Sequence, residues 1–322
     1  MSLYLAYDIG GTNLKAALVD ESYQIIDRAN CKAEARERSG EDILDSCLDL
    51  AMTLLQRQDL EPCELKAIGM GAPGLVSEEL GEFVRATNLN FLHLPVREIV
   101  QARLKRPVHL VNDANAAALA EAKLGAGRES SSSVLIILGT GLGAGICFDG
   151  KLFTGFNGMA SELGHHVIAA GGQPCGCGRR GCFEQYVSAT ALIRETEAAI
   201  AAAPDSLLAS LAQRDGKVSG RTAFAAAEKH CPIAGALLSH YYENLAEGLA
   251  NVINTLMPEV IILGGGLSHA GEVLRRNVEE KIQKKLFLDA LVPSTCILLA
   301  ELGNDAGLIG AALYAEQRQS CD

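Results

Sequence analysis

The sequence is poor in positive charge and has no long apolar run. Its 28 lysine and arginine residues are outnumbered by 39 aspartate and glutamate residues, which gives a net charge of −11. That balance argues against nucleic acid or an anionic membrane as a general partner. No apolar run reaches the ~18–20 residues that a membrane-spanning helix needs. The first apolar run is interrupted by Asp8 and has no basic region before it. We therefore expect a soluble, cytoplasmic protein that acts on small molecules.

Three other features are missing. No linker, low-complexity tract or charge block divides the 322 residues, a length that suffices for two domains with a core each. The Walker A pattern G-x-x-x-x-G-K-[ST] is absent, so any nucleotide would need a different phosphate-binding loop. The first strand is predicted from residue 3, and we expect no helix-turn-helix ahead of it. This expectation argues against a DNA-binding repressor.

Glycine is abundant, with 33 residues, and two glycine-rich turns share one layout. The apolar run Leu3–Ile9 leads into residues 10–13 (GGTN) and then into a second apolar run. The run 133–138 leads into residues 139–141 (GTG) and again into an apolar run. Each pattern predicts a hairpin whose exposed amides can bind phosphate oxygens. The repetition favours two related domains that face each other across a cleft; the alternative is chance similarity.

One carboxylate stands at a predicted junction between a strand and a helix. Residues 108–111 are apolar, residues 114–124 are rich in alanine, and Asn112 and Asp113 lie between them. The partial positive charge at a helix N-terminus keeps such a carboxylate ionised and fixes its direction. Asp113 could be the N-cap of this helix, which alone would justify an acid there. The capping role is compatible with a catalytic one.

Cys175, Cys177 and Cys182 have C-x-C-x4-C spacing and follow a pair of histidines at 165–166. With one histidine they can supply four ligands to a tetrahedral Zn²⁺. The alternative is one disulfide and a spare thiol, but the rest of the chain is typical of a cytosolic enzyme, in which thiols stay reduced. A catalytic zinc is disfavoured because three cysteines and a histidine leave no position open for water.

Two carboxylates bracket this cluster. Glu162 precedes the histidine pair, and Glu184 lies two residues after Cys182. A zinc ion that fastened the loop would also fix both carboxylates in space. We therefore predict that the zinc is structural and that the two carboxylates bind a polyhydroxylated substrate.

Further elements follow from periodicity, glycine and proline. The triple glycine 264–266 comes after a predicted buried strand and is a candidate floor for a nucleotide. Residues 71–74 (GAPG) predict a rigid turn, and residues 305–314 predict a helix of small residues suited to tight packing. The remaining predicted helices are 43–58, 96–104, 189–203, 206–213, 221–229, 233–257 and 271–286, and the remaining strands are 66–70, 259–263 and 295–300.

Paired phosphate-binding hairpins, a junction aspartate and a triple glycine resemble the actin-like ATPase and sugar-kinase superfamily. The motifs E-x-x-H at 162–165 and C-x-C-x4-C-x-E at 175–184 narrow this resemblance. The sequence is similar, over essentially its whole length, to the ROK family of bacterial sugar kinases and repressors. The cysteine segment is its most specific part, followed by residues 112–115 (NDAN). Asn13 in place of a frequent lysine and Phe183 in place of a common leucine are two departures.

The resemblance implies a two-domain α/β fold of the actin-like ATPase (ribonuclease H-like) type. Such a fold has duplicated β-sheet cores flanked by helices and a central cleft. Residues 1–113 and 305–322 would form a smaller α/β domain. Residues 114–304 would form a larger one that contains the zinc loop 165–182.

The family pattern also implies roles for individual residues, with Asp113 as the catalytic base. It favours His165 over His166 as the histidine that completes the zinc site. The implied substrate-binding residues are Gly74, Asn88, Asn112, Asp113, Glu162, His165 and Glu184. The implied nucleotide-binding residues are Asp8, Gly10, Gly11, Thr12, Asn13, Gly139, Thr140, Gly141, Gly264, Gly265 and Gly266. The implied zinc ligands are His165, Cys175, Cys177 and Cys182.

The implied activity is ATP-dependent phosphorylation of a hexose at its 6-hydroxyl, with ATP, Mg²⁺ and a structural Zn²⁺. Glucose, phosphorylated to glucose 6-phosphate for glycolysis, is favoured because the segments 71–74 and 87–89 resemble those of the family's glucokinases. Fructose, N-acetylmannosamine and N-acetylglucosamine remain alternatives, as does a non-catalytic sugar-sensing regulator. The family implies homodimers or homotetramers. The sequence leaves open whether polyphosphate can replace ATP.

Overall fold

A computed structural model describes residues 2–35, 37–86, 89–287 and 294–319. The chain forms two compact units. Unit 1 comprises Met1–Arg128, Gly145–Ser161 and Leu302–Asp322, and unit 2 comprises Glu129–Ala144 and Glu162–Glu301. Within the described ranges, every helix is too short or too polar to traverse a lipid bilayer.

The described residues of unit 1 form β-strands in two sheets, together with α-helices. Its strands are β1 Leu3–Ile9, β2 Asn13–Asp20, β3 Ile25–Lys32, β4 Leu65–Ala72, β5 Leu75–Ser77, β6 Glu82–Ala86, β7 Phe91–Leu94 and β8 Val108–Asn112. Its helices are α1 Gly40–Arg57, α2 Val96–Leu104, α3 Asp113–Lys123 and α10 Ala306–Gln319. The main sheet has the order β3-β2-β1-β4-β8, in which β1 to β3 are antiparallel and β1, β4 and β8 are parallel.

The helix α10 packs closely against β4 and α3 because glycine stands at each contact. A Cβ atom at Gly69 would lie 1.9 Å from the Ala311 carbonyl oxygen, and one at Gly310 would lie 1.7 Å from the Ala116 carbonyl oxygen. No side chain fits at these separations, so the two glycines set the approach of the helix. The prediction that this segment is a small-residue helix suited to tight packing is confirmed.

A small antiparallel sheet in unit 1, with the order β5-β6-β7, is absent from the predicted elements. Its strands are only three to five residues long. Phe83 and Phe91 stack across β6 and β7 with ring centroids 5.3 Å apart. Such short strands carry too little periodicity to be read from the sequence, and their pairing depends on this contact between strands.

Unit 2 is built on the second glycine-rich hairpin. Its strands are β9 Ser132–Leu138, β12 Val260–Gly264 and β13 Cys296–Leu299; β10 Leu142–Phe148 begins in unit 2 and ends in unit 1, where β11 Lys151–Leu152 follows. Its helices are α4 Glu184–Val187, α5 Ala189–Ala202, α6 Leu207–Arg214, α7 Thr222–Glu228, α8 Pro232–Leu256 and α9 Glu272–Ile282. The sheet has the order β11-β10-β9-β12-β13, with β9, β12 and β13 parallel.

The two five-stranded sheets share one topology. In each, a hairpin occupies one side, and the first hairpin strand is parallel to two later strands. This repetition confirms the predicted duplication of sheet cores. The predicted division between residues 113 and 114 differs from the compact units, because α3 lies with unit 1, where it packs against α10. Compactness alone does not define a domain, so the predicted bounds stay a prediction.

Candidate active site

Asn112 and Asp113 lie where β8 runs into α3. The N-cap is Asn112, whose Oδ1 accepts hydrogen bonds from the amides of Ala114 at 3.0 Å and Asn115 at 3.1 Å. Asp113 is the first helical residue, and its Oδ1 accepts the Ala114 N–H at 2.8 Å. The interpretation of Asp113 as the N-cap is wrong, because the helix begins one residue earlier than predicted. The carboxylate lies at the positive end of the helix dipole, which favours its ionised form.

The Asn112 side chain also holds the turn at Gly74. Its Nδ2 donates a hydrogen bond to the Gly74 carbonyl oxygen at 3.1 Å. Gly74 has a φ of +88°, and a Cβ atom there would lie 2.3 Å from the Arg85 carbonyl oxygen, so the position requires glycine. Two predicted substrate-binding residues are therefore joined directly within unit 1. Asn88, another predicted member of this set, lies outside the described residues.

The first glycine turn, residues 10–13, joins β1 to β2, and residues 11–13 are exposed. The Gly10 N–H closes the turn through a hydrogen bond to the Asn13 carbonyl oxygen at 3.0 Å. Behind the turn, Lys15 pairs with Asp8 across the hairpin, and its Nζ lies 2.7 Å from Asp8 Oδ2. A Cβ atom at Gly307 would lie 3.2 Å from Asp8 Cγ, so the first turn of α10 approaches the same carboxylate. Asp8 is thus held between an ammonium group and a helix N-terminus.

The second glycine turn, residues 139–141, lies against Glu184 at the start of α4. Glu184 Oε2 accepts the N–H of Leu142, which follows the turn, at 2.9 Å. A Cβ atom at Gly141 would lie only 2.5 Å from the same oxygen. Glycine at position 141 is therefore needed for this contact. A predicted nucleotide-binding turn and a predicted sugar-binding carboxylate are joined directly in unit 2.

The triple glycine 264–266 begins on the last residue of β12, and its members differ in their surroundings. Gly265 has a φ of +84°, and a Cβ atom there would lie 2.6 Å from the Leu138 carbonyl oxygen, so this glycine allows close packing on the end of β9. A Cβ atom at Gly264 would make ordinary contacts at 3.4 Å. Gly266 is exposed, with nothing within 4 Å of its Cβ position among the described residues. Of the three, Gly266 is the most open to a ligand.

Glu162 precedes the 3-10 turn Leu163–His165. The residue is exposed as a whole, but protein atoms crowd its carboxylate, and this local desolvation raises the pKa of Glu162 above its usual value. The His165 ring opposes the shift, and the Glu184 carboxylate adds to it. The His165 ring and the Glu184 carboxylate therefore lie close enough to Glu162 in unit 2 to influence its charge.

The predicted metal ligands come together in one cluster. The ligand atoms of His165, Cys175, Cys177 and Cys182 all lie within 4.8 Å of one another. His165 Nδ1 is 3.6 Å from Cys175 Sγ, and Cys177 Sγ is 3.6 Å from Cys182 Sγ. A tetrahedral zinc with Zn–S of ~2.3 Å and Zn–N of ~2.0–2.1 Å would separate its ligand atoms by roughly 3.5–3.8 Å. The cluster therefore fits a zinc ion.

The sulfur distances also bear on the disulfide alternative. A disulfide has an S–S distance of ~2.05 Å, whereas the described cysteines are all free thiols. The metal site has supporting contacts instead: Gln185 Nε2 donates to Cys175 Sγ at 3.7 Å, and Arg179 donates to the His165 carbonyl oxygen at 3.1 Å. The Arg179 backbone N–H lowers the pKa of the exposed Cys177 thiol, whereas burial and the neighbouring thiols raise the pKa of Cys182 to about 12.

The two neighbouring histidines of the loop, His165 and His166, have different contacts. The His165 Nδ1 atom faces Cys175 at 3.6 Å, so this nitrogen is the one placed to bind a metal with the cysteines. The His166 Nδ1 atom instead lies within hydrogen-bonding distance of the Leu163 carbonyl oxygen, and the centroid of its ring lies 5.0 Å from that of Phe183. Burial lowers the pKa of His166. The geometry supports His165, while metal binding itself stays a prediction.

The family model described as the ROK family matches residues 4–318, almost the whole described chain. This protein belongs to the ROK family. A glucokinase from Halalkalibacterium halodurans is 33% identical over 318 residues, with 98% of this chain and 96% of the relative covered. A glucokinase from Thermotoga maritima is 34% identical over 319 residues, with 98% and 97% covered.

Solved ROK structures have the same fold. A ROK family glucokinase from Streptomyces griseus in complex with glucose and AMPPNP matches with a TM-score of 0.83 at 33% identity, covering 98% of this chain and 100% of that one. A ROK family transcriptional regulator, a homologue of the E. coli MLC protein, matches with a TM-score of 0.86 at 28% identity, covering 97% and 77%. The predicted actin-like ATPase fold is confirmed, and the ROK fold serves kinases and regulators alike.

Two contacts of this ROK protein were not predicted from its sequence. The sequence does hold a signal for the contact between Lys15 and Asp8, because residues 8 and 15 face each other in a hairpin centred on residues 11 and 12. The contact between Glu184 and the Leu142 amide has no such signal, since 42 residues separate its partners. Contacts of this second kind depend on how the elements pack.

Proposed function

We propose that this protein transfers the γ-phosphate of ATP to the 6-hydroxyl of a hexose, with glucose as the favoured substrate. Its class, an ATP-dependent sugar kinase, follows from its family and from full-length similarity to several glucokinases. The preference for glucose is supported by those relatives and by the similarity to the Streptomyces griseus enzyme with glucose and AMPPNP. Fructose, N-acetylmannosamine and N-acetylglucosamine are the alternative substrates.

The proposal rests above all on the position of Asp113, which directly follows β8 and is the first residue of α3. A sugar hydroxyl is a poor nucleophile, so a carboxylate must accept its proton as the new O–P bond forms and the bond to ADP breaks. The adjacent helix N-terminus keeps Asp113 ionised, and therefore able to accept that proton. Asp113 is the general base in this proposal.

The proposed sugar contacts are hydrogen-bond acceptors and donors. Gly74, Asn88 and Asn112 are the proposed sugar contacts of unit 1, and Glu162, Glu184 and His165 are those of unit 2. A carboxylate can accept more than one hydroxyl proton, which allows discrimination among sugar stereoisomers. The proposed zinc site supports three of these residues, because His165 belongs to it and Glu162 and Glu184 lie within three residues of its loop.

The phosphates are held by the backbone. The amides of residues 10–13 and 139–141, with the open Gly266, are the proposed donors to phosphate oxygens. A bound Mg²⁺ would neutralise charge on the β- and γ-phosphates, with Asp8 as the carboxylate that holds it through water. Lys15 lies beside Asp8 and adds positive charge at the same hairpin.

Replacing the base tests this assignment. We expect Asp113→Asn to lower kcat by roughly 10²–10⁴-fold, the usual contribution of a general base, while the hexose Kd changes by less than a few-fold. Asp59→Asn is the matched control, because Asp59 is exposed and its φ of +54° suits asparagine. Coupled ADP-release kinetics and calorimetric hexose binding measure the two effects. Near-normal turnover by Asp113→Asn would remove it as the base.

A panel of hexoses identifies the substrate. Release of ADP should be fastest with glucose if the proposal is right, and a faster rate with fructose or an N-acetylated hexosamine would replace glucose in it. Sugar binding without any ADP release would favour a non-catalytic regulator. Replacing ATP with polyphosphate, with hexose phosphate measured as the product because no ADP is released, tests whether polyphosphate is an alternative phosphate donor.

The proposal extends to assembly and location. We propose a homodimer or homotetramer that acts in the cytoplasm, as the family resemblance implies. Light scattering coupled to size exclusion measures the mass in solution, and a value of one chain would contradict the proposed assembly.

A further inference from the structure

The turn made of residues 139–142 in unit 2, here called the anchored turn, is fastened at three points to the segment 184–190. The Leu142 N–H donates to Glu184 Oε2 at 2.9 Å. The other two hydrogen bonds run from the Ala189 N–H to the Gly139 carbonyl oxygen at 2.8 Å and from Thr190 Oγ1 to the Thr140 carbonyl oxygen at 2.7 Å. Three of the four residues of the turn are therefore held through a backbone group by the segment 184–190.

Glu184 is the anchor with a second task. Its Oε2 atom is occupied by the Leu142 amide, and it fills the space beside Gly141 where a Cβ would stand 2.5 Å away. Among the described residues, its Oε1 atom accepts one hydrogen bond, at 3.2 Å from the neighbouring Gln185 side chain. One oxygen is thus committed to the anchored turn, and the other faces a group that a sugar hydroxyl can replace.

The backbone of Glu184 is held firmly. Phe183, the preceding residue, is fully buried, and a Cβ at Gly248 of α8 would lie 2.2 Å from its ring. Cys182, one residue further back, belongs to the metal cluster. Reorientation of the Glu184 carboxylate must therefore be taken up by its side chain and by the anchored turn.

We propose that Glu184 is a positioning residue that couples hexose binding to nucleotide binding within unit 2. A hydroxyl bound at Oε1 fixes the carboxylate, and Oε2 then holds the anchored turn in the conformation that binds phosphate. Because the bound sugar has already ordered the anchored turn, the nucleotide loses less conformational entropy when it binds and therefore binds more tightly. Linkage requires the nucleotide to tighten hexose binding by the same factor. This inference rests on the proposed function.

The experiment measures that factor in the full-length protein. The hexose with the lowest KM in the panel is titrated by calorimetry without and with saturating AMPPNP and Mg²⁺. We expect the wild-type hexose Kd to fall by about fivefold or more, within the roughly 5–150-fold range of such couplings. In Gly141→Ala the new methyl group displaces Glu184 Oε2, and the factor should fall to between one and two.

Gly139→Ala is the matched comparison in the same turn. Its Cβ would meet its nearest atom at 3.8 Å, an ordinary contact, and neither glycine has a φ in the left-handed region. We expect this variant to leave the nucleotide-free hexose Kd within twofold of wild type, whereas Gly141→Ala raises it. The pair separates displacement of Glu184 from the addition of a methyl group to the turn.

Thr190 gives a second test that does not touch Glu184. Thr190 is exposed, so Thr190→Val should fold normally while it removes the hydrogen bond to the Thr140 carbonyl oxygen. We expect weaker AMPPNP binding and a smaller coupling factor, with the nucleotide-free hexose Kd unchanged. Thr190→Ser retains a hydroxyl and should restore both quantities.

The outcomes are distinct. An active kinase whose wild-type coupling factor is one would overturn this inference and leave the proposed function intact. A normal factor in both Gly141→Ala and Thr190→Val would overturn it too. A protein that binds none of the hexoses would end the proposed function, and this inference with it.

Discussion

The Asn112 side chain makes three hydrogen bonds, two through its oxygen and one through its nitrogen. Its oxygen caps α3, and its nitrogen binds the carbonyl group of Gly74. The cap fixes the first turn of the helix that carries Asp113, and the second contact fixes the loop proposed to hold the sugar. The geometry of both depends on this one amide, since a carboxylate at this position could cap the helix but could not donate to Gly74.

Two variants separate these roles. Asn112→Ala loses both, and we expect its free energy of unfolding to fall by about 1 kcal/mol, as for other lost N-caps. Asn112→Ser retains a capping oxygen but lacks the side-chain amide that donates to Gly74. Its stability should therefore return towards wild type while the hexose KM stays raised. Chemical denaturation and steady-state kinetics measure the two quantities. Parallel recovery of both by Asn112→Ser would contradict separate roles.

At the scale of elements, α1 shows how far periodicity determines a helix. The seven apolar positions whose helical spacing predicts this helix are all buried: Ile43, Leu44, Cys47, Leu48, Ala51, Leu54 and Leu55. Its start is set by a capping box: the Asp42 N–H donates to Ser39 Oγ, and the Ser39 N–H donates to Asp42 Oδ2, both at 3.1 Å. The Ser39 hydroxyl, which donates to Asp42 Oδ2 at 2.8 Å, and the Ser39 N–H lower the pKa of Asp42.

The capping box predicts a pH-dependent contribution to stability. Because the pKa of Asp42 is lower in the folded protein, its stabilising effect is present above its ordinary value of 3.8 and is lost as the pH falls through the lowered value. We expect Asp42→Asn to be less stable than wild type at pH 7, with a smaller difference near pH 3. Urea unfolding followed by circular dichroism at both values measures this.

Asp45→Asn is the matched control for that experiment. Asp45 is exposed on the same helix and lies outside the capping box. Its variant should show little change in stability between the two pH values relative to wild type. A difference for Asp42→Asn that is equal at pH 7 and pH 3 would refute the proposed contribution.

At the scale of the molecule, the loop 165–182 of unit 2 contains a cluster of four residues whose ligand atoms fit a zinc ion. Much of this loop lacks regular secondary structure and is exposed, so few apolar contacts hold it. A metal ion would replace that missing support, since binding energy at a structural site is also folding energy. Glu162 and Glu184 stand at either end of the loop and depend on its conformation.

Metal loss should therefore affect stability and sugar binding together. We expect Cys177→Ser, or a strong chelator, to lower zinc content, lower Tm and raise the hexose Kd. Cys63→Ser is the control, because Cys63 is an exposed free thiol in unit 1. Metal analysis, thermal unfolding and calorimetry give the three measurements. Wild-type protein that contains no zinc, or a Cys177→Ser variant with unchanged Tm, would refute the structural role.

The sequence by itself determined the hairpins, most helices and the metal cluster. The bounds of α2 match the prediction, because apolar periodicity, glycine turns and ligand spacing act over a few neighbouring residues. Only the tertiary structure decided the cap at Asn112, the sheet of β5 to β7 and the contact of Glu184 with Leu142. These depend on backbone direction at single residues or on partners distant in sequence, which pack together only when the sheets and helices have formed.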